Sequence, residues 1–313
     1  MFAIGVDVGG MSIKAGLVSS DGKIICENRT KTASSAELCL KNLYAQIQAL
    51  LDGNNLTTAD ILGIGVGCPG AVNSKLGVVE YLPNLGWENI PLAKLLSDKF
   101  STKVLLGNDA NVATLGEAIF GCAKGYDDVI MFTIGTGVGG GIIINKKIYE
   151  GGYSKGGELG HITLVVNGKP CTCGRNGCIE TYVSATALIS QTKEAMLKDS
   201  KSKMWDIVSG DISRVDGKTA FDCENFDASA KKVVDTYICY LSESVLNMLN
   251  IFRPQVFIIG GGISAQGDNL TSRVYNYCKK FSFGYKGAPE TKIVTATLGN
   301  GAGIIGAASL LFE

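Results

Sequence analysis

Residues 2–19 read FAIGVDVGGMSIKAGLVS, and residues 129–151 read VIMFTIGTGVGGGIIINKKIYEG. Each is a set of short apolar runs broken by glycines, the pattern of strands joined by tight turns. Outward from the first, KIICENRTKT (23–32) completes a β-meander. Residues 36–52 then put Leu40, Leu43, Tyr44, Ile47 and Leu51 on one helical face. ILGIGVG (61–67) reads as a buried strand, 91–100 as a helix, KVLLGND (103–109) as a strand, and ANVATLGEAIFG (110–121) as a helix. Outward from the second stretch the same order returns. Helices are expected near 178–197 and 226–251, where Val234, Ile238, Leu241, Val245 and Leu249 form a stripe. QVFIIGGG (255–262) and KIVTATLG (292–299) are strands, and GAGIIGAASLLF (301–312) is a closing helix. The pattern predicts a duplicated α/β architecture of two domains around a central cleft. The expected division is 1–117 completed by 297–313, and 118–296. Residues 198–221 are polar and weakly periodic, and no element is assigned there.

Bulk properties agree with two domains and narrow the function. The chain has 313 residues, long for a single core. Its 29 basic and 29 acidic side chains balance, which leaves no excess charge for nucleic acid. No apolar stretch approaches the ~18 residues that span a membrane, and the N-terminus lacks a basic leader. A cytoplasmic protein is expected. Its ten cysteines then call for a reading other than disulfides. Cys26, Cys39, Cys68, Cys122, Cys223, Cys239 and Cys278 are scattered and read as small core or surface residues.

The other three cluster. His161, Cys171, Cys173 and Cys178 form H-x9-C-x-C-x4-C, a donor set suited to tetrahedral Zn²⁺. Gly174 and Gly177 permit the turns that gather four ligands. Four protein ligands leave no open position, so a structural ion is expected, fixing the loop that presents Glu158 and Glu180. Free thiols beside an ordinary histidine are the alternative.

Two glycine turns suit phosphate. In the first, Gly9 and Gly10 expose backbone N–H groups, Asp7 ends a strand where it can hold Mg²⁺, and Lys14 can meet a phosphate. An ordinary Gly-Gly hairpin is the other reading. In the second, Thr133, Gly135, Thr136 and Gly137 would contact outer phosphates. Gly261 and Gly262, after the strand at 255–259, would let an adenosine lie against the backbone. These loops join two strands, unlike a dinucleotide fingerprint, and the Walker A pattern is missing. Two such hairpins in repeated halves suggest the actin-like ATPase (ribonuclease H-like) architecture. Asp109 follows a strand near a helix N-terminus, whose dipole favours the ionised carboxylate. There it can accept a hydroxyl proton as a phosphoryl group arrives, with Asn108 orienting the acceptor. An ordinary N-cap is the competing reading.

Taken together, the chain resembles the ROK family of sugar kinases and repressors over nearly its whole length. ELGH (158–161) through CTCGRNGCIE (171–180) carries the resemblance most specifically. DVGG (7–10), GVGCPG (65–70), LPNLGW (82–87), NDANVA (108–113) and IGTGVGGGI (134–142) match further segments in order. The resemblance implies an ATP-dependent hexose kinase, nearest to the family's glucokinases, with Asp109 as base. It implies sugar contacts from Asn84, Asn108, Asp109, Glu158, His161 and Glu180, with Gly70 lining the pocket. His161 would serve sugar and Zn²⁺ through its two ring nitrogens. Asp7, Gly9, Gly10, Lys14, Thr133, Gly135, Thr136 and Gly137 would surround ATP phosphates and Mg²⁺. Family members are commonly dimers or tetramers, so a homodimer or homotetramer is implied. Met11 stands where the family usually has Thr, which puts one phosphate contact in question. Kinases for N-acetylmannosamine, N-acetylglucosamine, mannose, fructose or allose share most of these residues. A sugar-sensing regulator is the other class. It is disfavoured because Asp109 is present and because the chain starts at the first glycine turn, where regulators carry a DNA-binding segment. Trp87 reads as core packing rather than sugar stacking.

Overall fold

The computed structural model describes residues 1–33, 35–82, 85–284 and 289–312. Strands β1 (Phe2–Val8), β2 (Ser12–Ser19) and β3 (Ile24–Lys31) form an antiparallel meander. Helix α1 (Ala36–Gly53) follows, and β4 (Ile61–Cys68) returns parallel to β1. Short strands β5 (Ala71–Asn73), β6 (Val78–Leu82) and β7 (Trp87–Ile90) make a separate antiparallel sheet. Helix α2 (Leu92–Phe100) leads to β8 (Val104–Asn108), parallel to β4, and then α3 (Asp109–Ile119). The next meander is β9 (Val129–Ile134), β10 (Val138–Ile144) and β11 (Lys147–Ile148). Helices α4 (Glu180–Val183), α5 (Ala185–Lys198), α6 (Met204–Ile207), α7 (Thr219–Cys223) and α8 (Ala228–Phe252) come after it. The chain closes with β12 (Val256–Gly261), α9 (Gly267–Phe281), β13 (Lys292–Thr295) and α10 (Ala302–Ser309).

The two large sheets run β3-β2-β1-β4-β8 and β11-β10-β9-β12-β13. Ranked by position in the chain, both have one strand order, so the expected duplication is present. By packing, one compact unit is Met1–Val129, Gly141–Gly157 and Thr297–Glu313, and the other is Ile130–Gly140 and Glu158–Ala296. Residues 118–129 and 141–157 join the first unit, so the chain crosses between units more often than a cut after residue 117 implies. Gly141 lies tight on α3: a Cβ there would meet the Thr114 hydroxyl at 1.9 Å.

Local chemistry accounts for the elements. Ser35 caps α1 by accepting from the Leu38 N–H, and Asp227 caps α8 by accepting from Ala230. Leu43, Ile47 and Leu51 of α1 pack with Ile4, Val6, Ile64 and Val66 on one face of the first sheet. The stripe of α8 (Val234, Ile238, Leu241, Val245, Leu249) is buried as its period predicts. On the other face of the first sheet lies α10, packed on Ala3 and Val18. Its approach depends on missing side chains, because a Cβ on Gly65 would fall 1.8 Å from the Ala307 carbonyl. Trp87 is 1% exposed, packed in the core as expected.

Besides the β5–β7 sheet, which had no counterpart in the sequence expectation, three regions differ from it. The helix expected over 178–197 is two helices, because Ser184 is extended (ψ 160) and caps α5 at Ala187. Residues 198–221 hold α6 and α7, with Asp216 accepting from the Lys218 and Thr219 amides at the start of α7. The last strand stops at Thr295, because Thr297 and Leu298 turn their N–H groups onto Glu117.

Candidate active site

In the first sheet, Asp7 pairs with Gly67, Gly67 with Gly107, and Cys68 with Asn108. The C-terminal ends of parallel β1, β4 and β8 therefore lie side by side, the edge where open α/β sheets take ligands. Asn108 is the N-cap of α3, and its Oδ1 accepts from the Ala110 and Asn111 amides at 3.0 and 3.3 Å. Its Nδ2 donates to the Gly70 carbonyl at 3.4 Å. Asp109 is the first helical residue and half-buried, and its Oδ1 also takes the Ala110 N–H at 2.9 Å. Capping thus falls to Asn108. Gly70 has φ +80, and a Cβ there would meet the Tyr81 carbonyl at 2.5 Å. The buried Cys68 thiol is pushed far up, first by burial and then by the Asp109 and Asp7 carboxylates. Two carboxylates, Asp7 and Asp109, thus stand near one another's strand ends at this edge.

At the first turn the Gly9 N–H donates to Ser12 at 2.9 Å. Lys14 lies opposite Asp7 in the β1–β2 register, with its Nζ 3.4 Å from Asp7 Oδ2. The backbone of Gly303, in the first turn of α10, leaves no room for a Cβ, which would fall 2.6 Å from Asp7 Cγ. The bare Gly303 backbone therefore lets α10 approach the Asp7 carboxylate closely. Met11 is 86% exposed in this turn.

The second turn belongs to the other unit. Thr133 is the penultimate residue of β9, and the Gly135 N–H donates to Gly137 at 3.0 Å. The Gly135 carbonyl accepts from Ala185, and the Thr136 carbonyl accepts from the Thr186 hydroxyl at 2.8 Å. Glu180 opens α4, and its Oε2 accepts from the Val138 amide at 3.0 Å. A Cβ on Gly137 would meet that same oxygen at 2.3 Å. Gly261 lies against the end of β9: its φ is +85, and a Cβ there would meet the Ile134 carbonyl at 2.1 Å. Gly262 has open space beside it.

Glu158 precedes the helical turn Leu159–His161, and its carbonyl accepts from His161 at 3.1 Å. The donor atoms of His161, Cys171, Cys173 and Cys178 all lie within 4.8 Å of one another. His161 Nδ1 is 3.6 Å from Cys171 Sγ, and Cys173 and Cys178 Sγ are 3.7 Å apart. Thiolates ~2.3 Å from a tetrahedral ion are separated by about 3.8 Å, so the set fits Zn²⁺. Nδ1 faces the thiols, leaving Nε2 for a second partner. The surrounding loop is tied by Arg175, whose guanidinium donates to Thr163 Oγ1 at 2.6 Å and the His161 carbonyl at 3.3 Å. Gly177, at φ +80, sits where a Cβ would strike the Val165 carbonyl at 1.7 Å. Burial pushes the Cys178 thiol up to about 12, while the Arg175 backbone amide lowers Cys173. A cation here must displace the Cys178 proton. Cys171 Sγ also approaches Glu180 Oε1 at 3.8 Å, so the ligand loop abuts the carboxylate that holds the second turn.

The structure thus brings Asp7, Gly9, Gly10, Lys14, Gly70, Asn108 and Asp109 to one sheet edge. In the other unit it gathers Thr133, Gly135, Thr136, Gly137, Glu180 and the four ligands, with Glu158 beside His161. Asn84 lies outside the described residues. Glu117 was not singled out from sequence. Its buried carboxylate accepts from Thr297, Leu298 and Cys122 amides and the Thr297 hydroxyl. A lone carboxylate in the apolar run 110–121 was the available signal.

Glucokinase of Halalkalibacterium halodurans is 35% identical over 309 residues, 97% of this chain and 92% of that protein. Glucokinase of Thermotoga maritima is 34% identical, over 99% of this chain and 97% of its own. The crystal structure of a ROK family glucokinase from Streptomyces griseus, in complex with glucose and AMPPNP, superposes with a TM-score of 0.83 at 31% identity. It covers 99% of each chain. The ROK family model matches residues 3–313, and the chain belongs to the ROK family.

Proposed function

We propose that this ROK protein is an ATP-dependent hexose kinase, with glucose as its preferred substrate and Asp109 as its general base. The observation that carries the reading is Asp109 at the start of α3. Asn108 is the N-cap there, and the neighbouring Asp109 carboxylate, with one oxygen on the Ala110 N–H, stands at the same strand-to-helix junction, within the reach a base needs. A sugar hydroxyl oxygen attacks the γ-phosphorus, its proton passes to Asp109, and the bond to the bridging oxygen breaks to release ADP. Asn84, Asn108, Glu158, Glu180 and the free nitrogen of His161 hold sugar hydroxyls, each able to serve more than one O–H. Gly70 lines the sugar site without a side chain.

The Gly9, Gly10, Gly135 and Gly137 backbones, with Lys14, Thr133 and Thr136, surround the phosphates. Gly261 and Gly262 pass under the adenosine. Asp7 would hold Mg²⁺ directly or through water; Mg²⁺, when bound, neutralises phosphate charge. His161, Cys171, Cys173 and Cys178 would hold a structural Zn²⁺. With four protein ligands it would fix the loop rather than activate water. The same proposal has the enzyme at work in the cytoplasm as a homodimer or homotetramer, without nucleic acid or membrane partners. Among the described residues no helix is long and apolar enough to cross a membrane.

Coupled ADP production tests the reading across glucose, mannose, N-acetylmannosamine, N-acetylglucosamine, fructose and allose. The expected result is the highest kcat/KM with glucose. A higher value with another hexose moves the substrate assignment within the class. No ADP with any hexose overturns the kinase proposal.

A further inference from the structure

The turn at Gly135–Gly137 shows how a phosphate loop is kept open from behind. Its peptides are trans, as no cis peptide occurs among the described residues. In a trans peptide the C=O and the following N–H point in opposite directions. The Gly135 carbonyl is held by the Ala185 N–H at 2.9 Å, so the Thr136 N–H faces away from α5. The Thr136 carbonyl is held by the Thr186 hydroxyl at 2.8 Å, so the Gly137 N–H faces away as well. Two consecutive amides directed out of one turn make a concave anion site. The Ala185 anchor is a backbone N–H, present with any side chain but proline. The Thr186 anchor is one side-chain hydroxyl, fifty positions from its partner in sequence.

We propose that Thr186 is a positioning residue for nucleotide binding: its hydroxyl fixes the Thr136–Gly137 peptide so that the Gly137 amide meets a phosphate oxygen. Thr186 acts through the backbone and touches no reacting atom. Were this anchor absent, the peptide would be free to rotate, and part of the nucleotide's binding free energy would go into ordering it. The inference rests on the reading of this turn as a phosphate loop, so the test separates the two.

The experiment compares Thr186→Val, which keeps the shape and removes the hydroxyl, with Thr186→Ser, which restores it. Steady-state kinetics with ATP and glucose are measured beside calorimetric binding of a non-hydrolysable ATP analogue. Thr186→Val is expected to raise the KM for ATP and the Kd for the analogue by about 3- to 10-fold, the effect of one neutral hydrogen bond. The KM for glucose, and kcat at saturating ATP, are expected to stay within about two-fold, and Thr186→Ser to recover nucleotide affinity. Unchanged nucleotide affinity in Thr186→Val overturns the inference. So does failure of Thr186→Ser to restore it, or an equal loss in both substrates with a lowered Tm, which marks a structural role. Gly137→Ala, whose Cβ would strike the Glu180 carboxylate that holds the turn, reports on the underlying reading. If it weakens the analogue while Thr186→Val does not, the Thr186 inference alone fails. If neither variant weakens it, the phosphate-loop reading fails too.

Discussion

The two glycine turns hold the same place in two sheets of one strand order, and both have carbonyls tied back. At the first turn the Thr32 hydroxyl donates to the Gly9 carbonyl at 2.6 Å, and its N–H donates to Met11 at 3.1 Å. At the second, Ala185 and the Thr186 hydroxyl hold Gly135 and Thr136. The anchors come from different places. Thr32 follows β3, a strand of the same meander as the turn. Thr186 is in α5, and the neighbouring Glu180 joins the second turn to the loop of Cys171. One backbone device thus has two supports, and among the described residues Glu180 joins the second to the Cys171 loop. The first turn, in exchange, shares its sheet edge with Asp109.

That contrast can be broken in several ways. The largest effect belongs to the edge with the carboxylate. Asp109→Asn is expected to lower kcat by roughly 10²- to 10⁴-fold, with the Tm and analogue affinity preserved. Near wild-type turnover in a folded variant removes the base assignment. Next comes the metal loop. Cys178→Ser is expected to remove the bound zinc seen by metal analysis and to lower the Tm by roughly 5–10 °C, the effect of several kcal/mol. It should also weaken the ATP analogue through Glu180 and the second turn. Full analogue affinity in the zinc-free protein would show that the second turn does not need its metal support. Thr32→Val is the counterpart in the first turn. A rise in ATP KM of about 2- to 5-fold is expected, one hydrogen bond's worth, with no change in zinc content. Smallest is Met11→Thr, which returns a hydroxyl to the first turn. The ATP KM is expected to fall about two-fold. A rise instead would mean that Met11 itself contributes to the turn.

Legibility in the sequence followed the range of the interaction. The paired meanders could be read because each strand and its turn lie within twenty residues. The cluster of His161, Cys171, Cys173 and Cys178 could be read because the three cysteines are close in sequence and His161 is the chain's sole histidine. Asp109 could be placed at a helix start, but that Asn108 holds the N-cap position could not be read; that needed α3 itself. The sheet of β5, β6 and β7 was missed because its strands have three, five and four residues, too few for a period to show. Ser184 divides what was expected as one helix, since a cap inside a helical segment gives no signal in hydrophobicity. Glu117 and Thr186 were not legible as supports, because their partners lie 180 and 50 positions away. The structure that steers the backbone of the turns was thus the least visible part of the site.

A crystal structure with glucose and a non-hydrolysable ATP analogue both bound puts the proposed chemistry to its sharpest trial. The account predicts an Asp109 carboxylate oxygen about 2.6–3.2 Å from the sugar hydroxyl that faces the γ-phosphate. A carboxylate beyond hydrogen-bond reach of every sugar oxygen, in a complex with both ligands ordered, would contradict it.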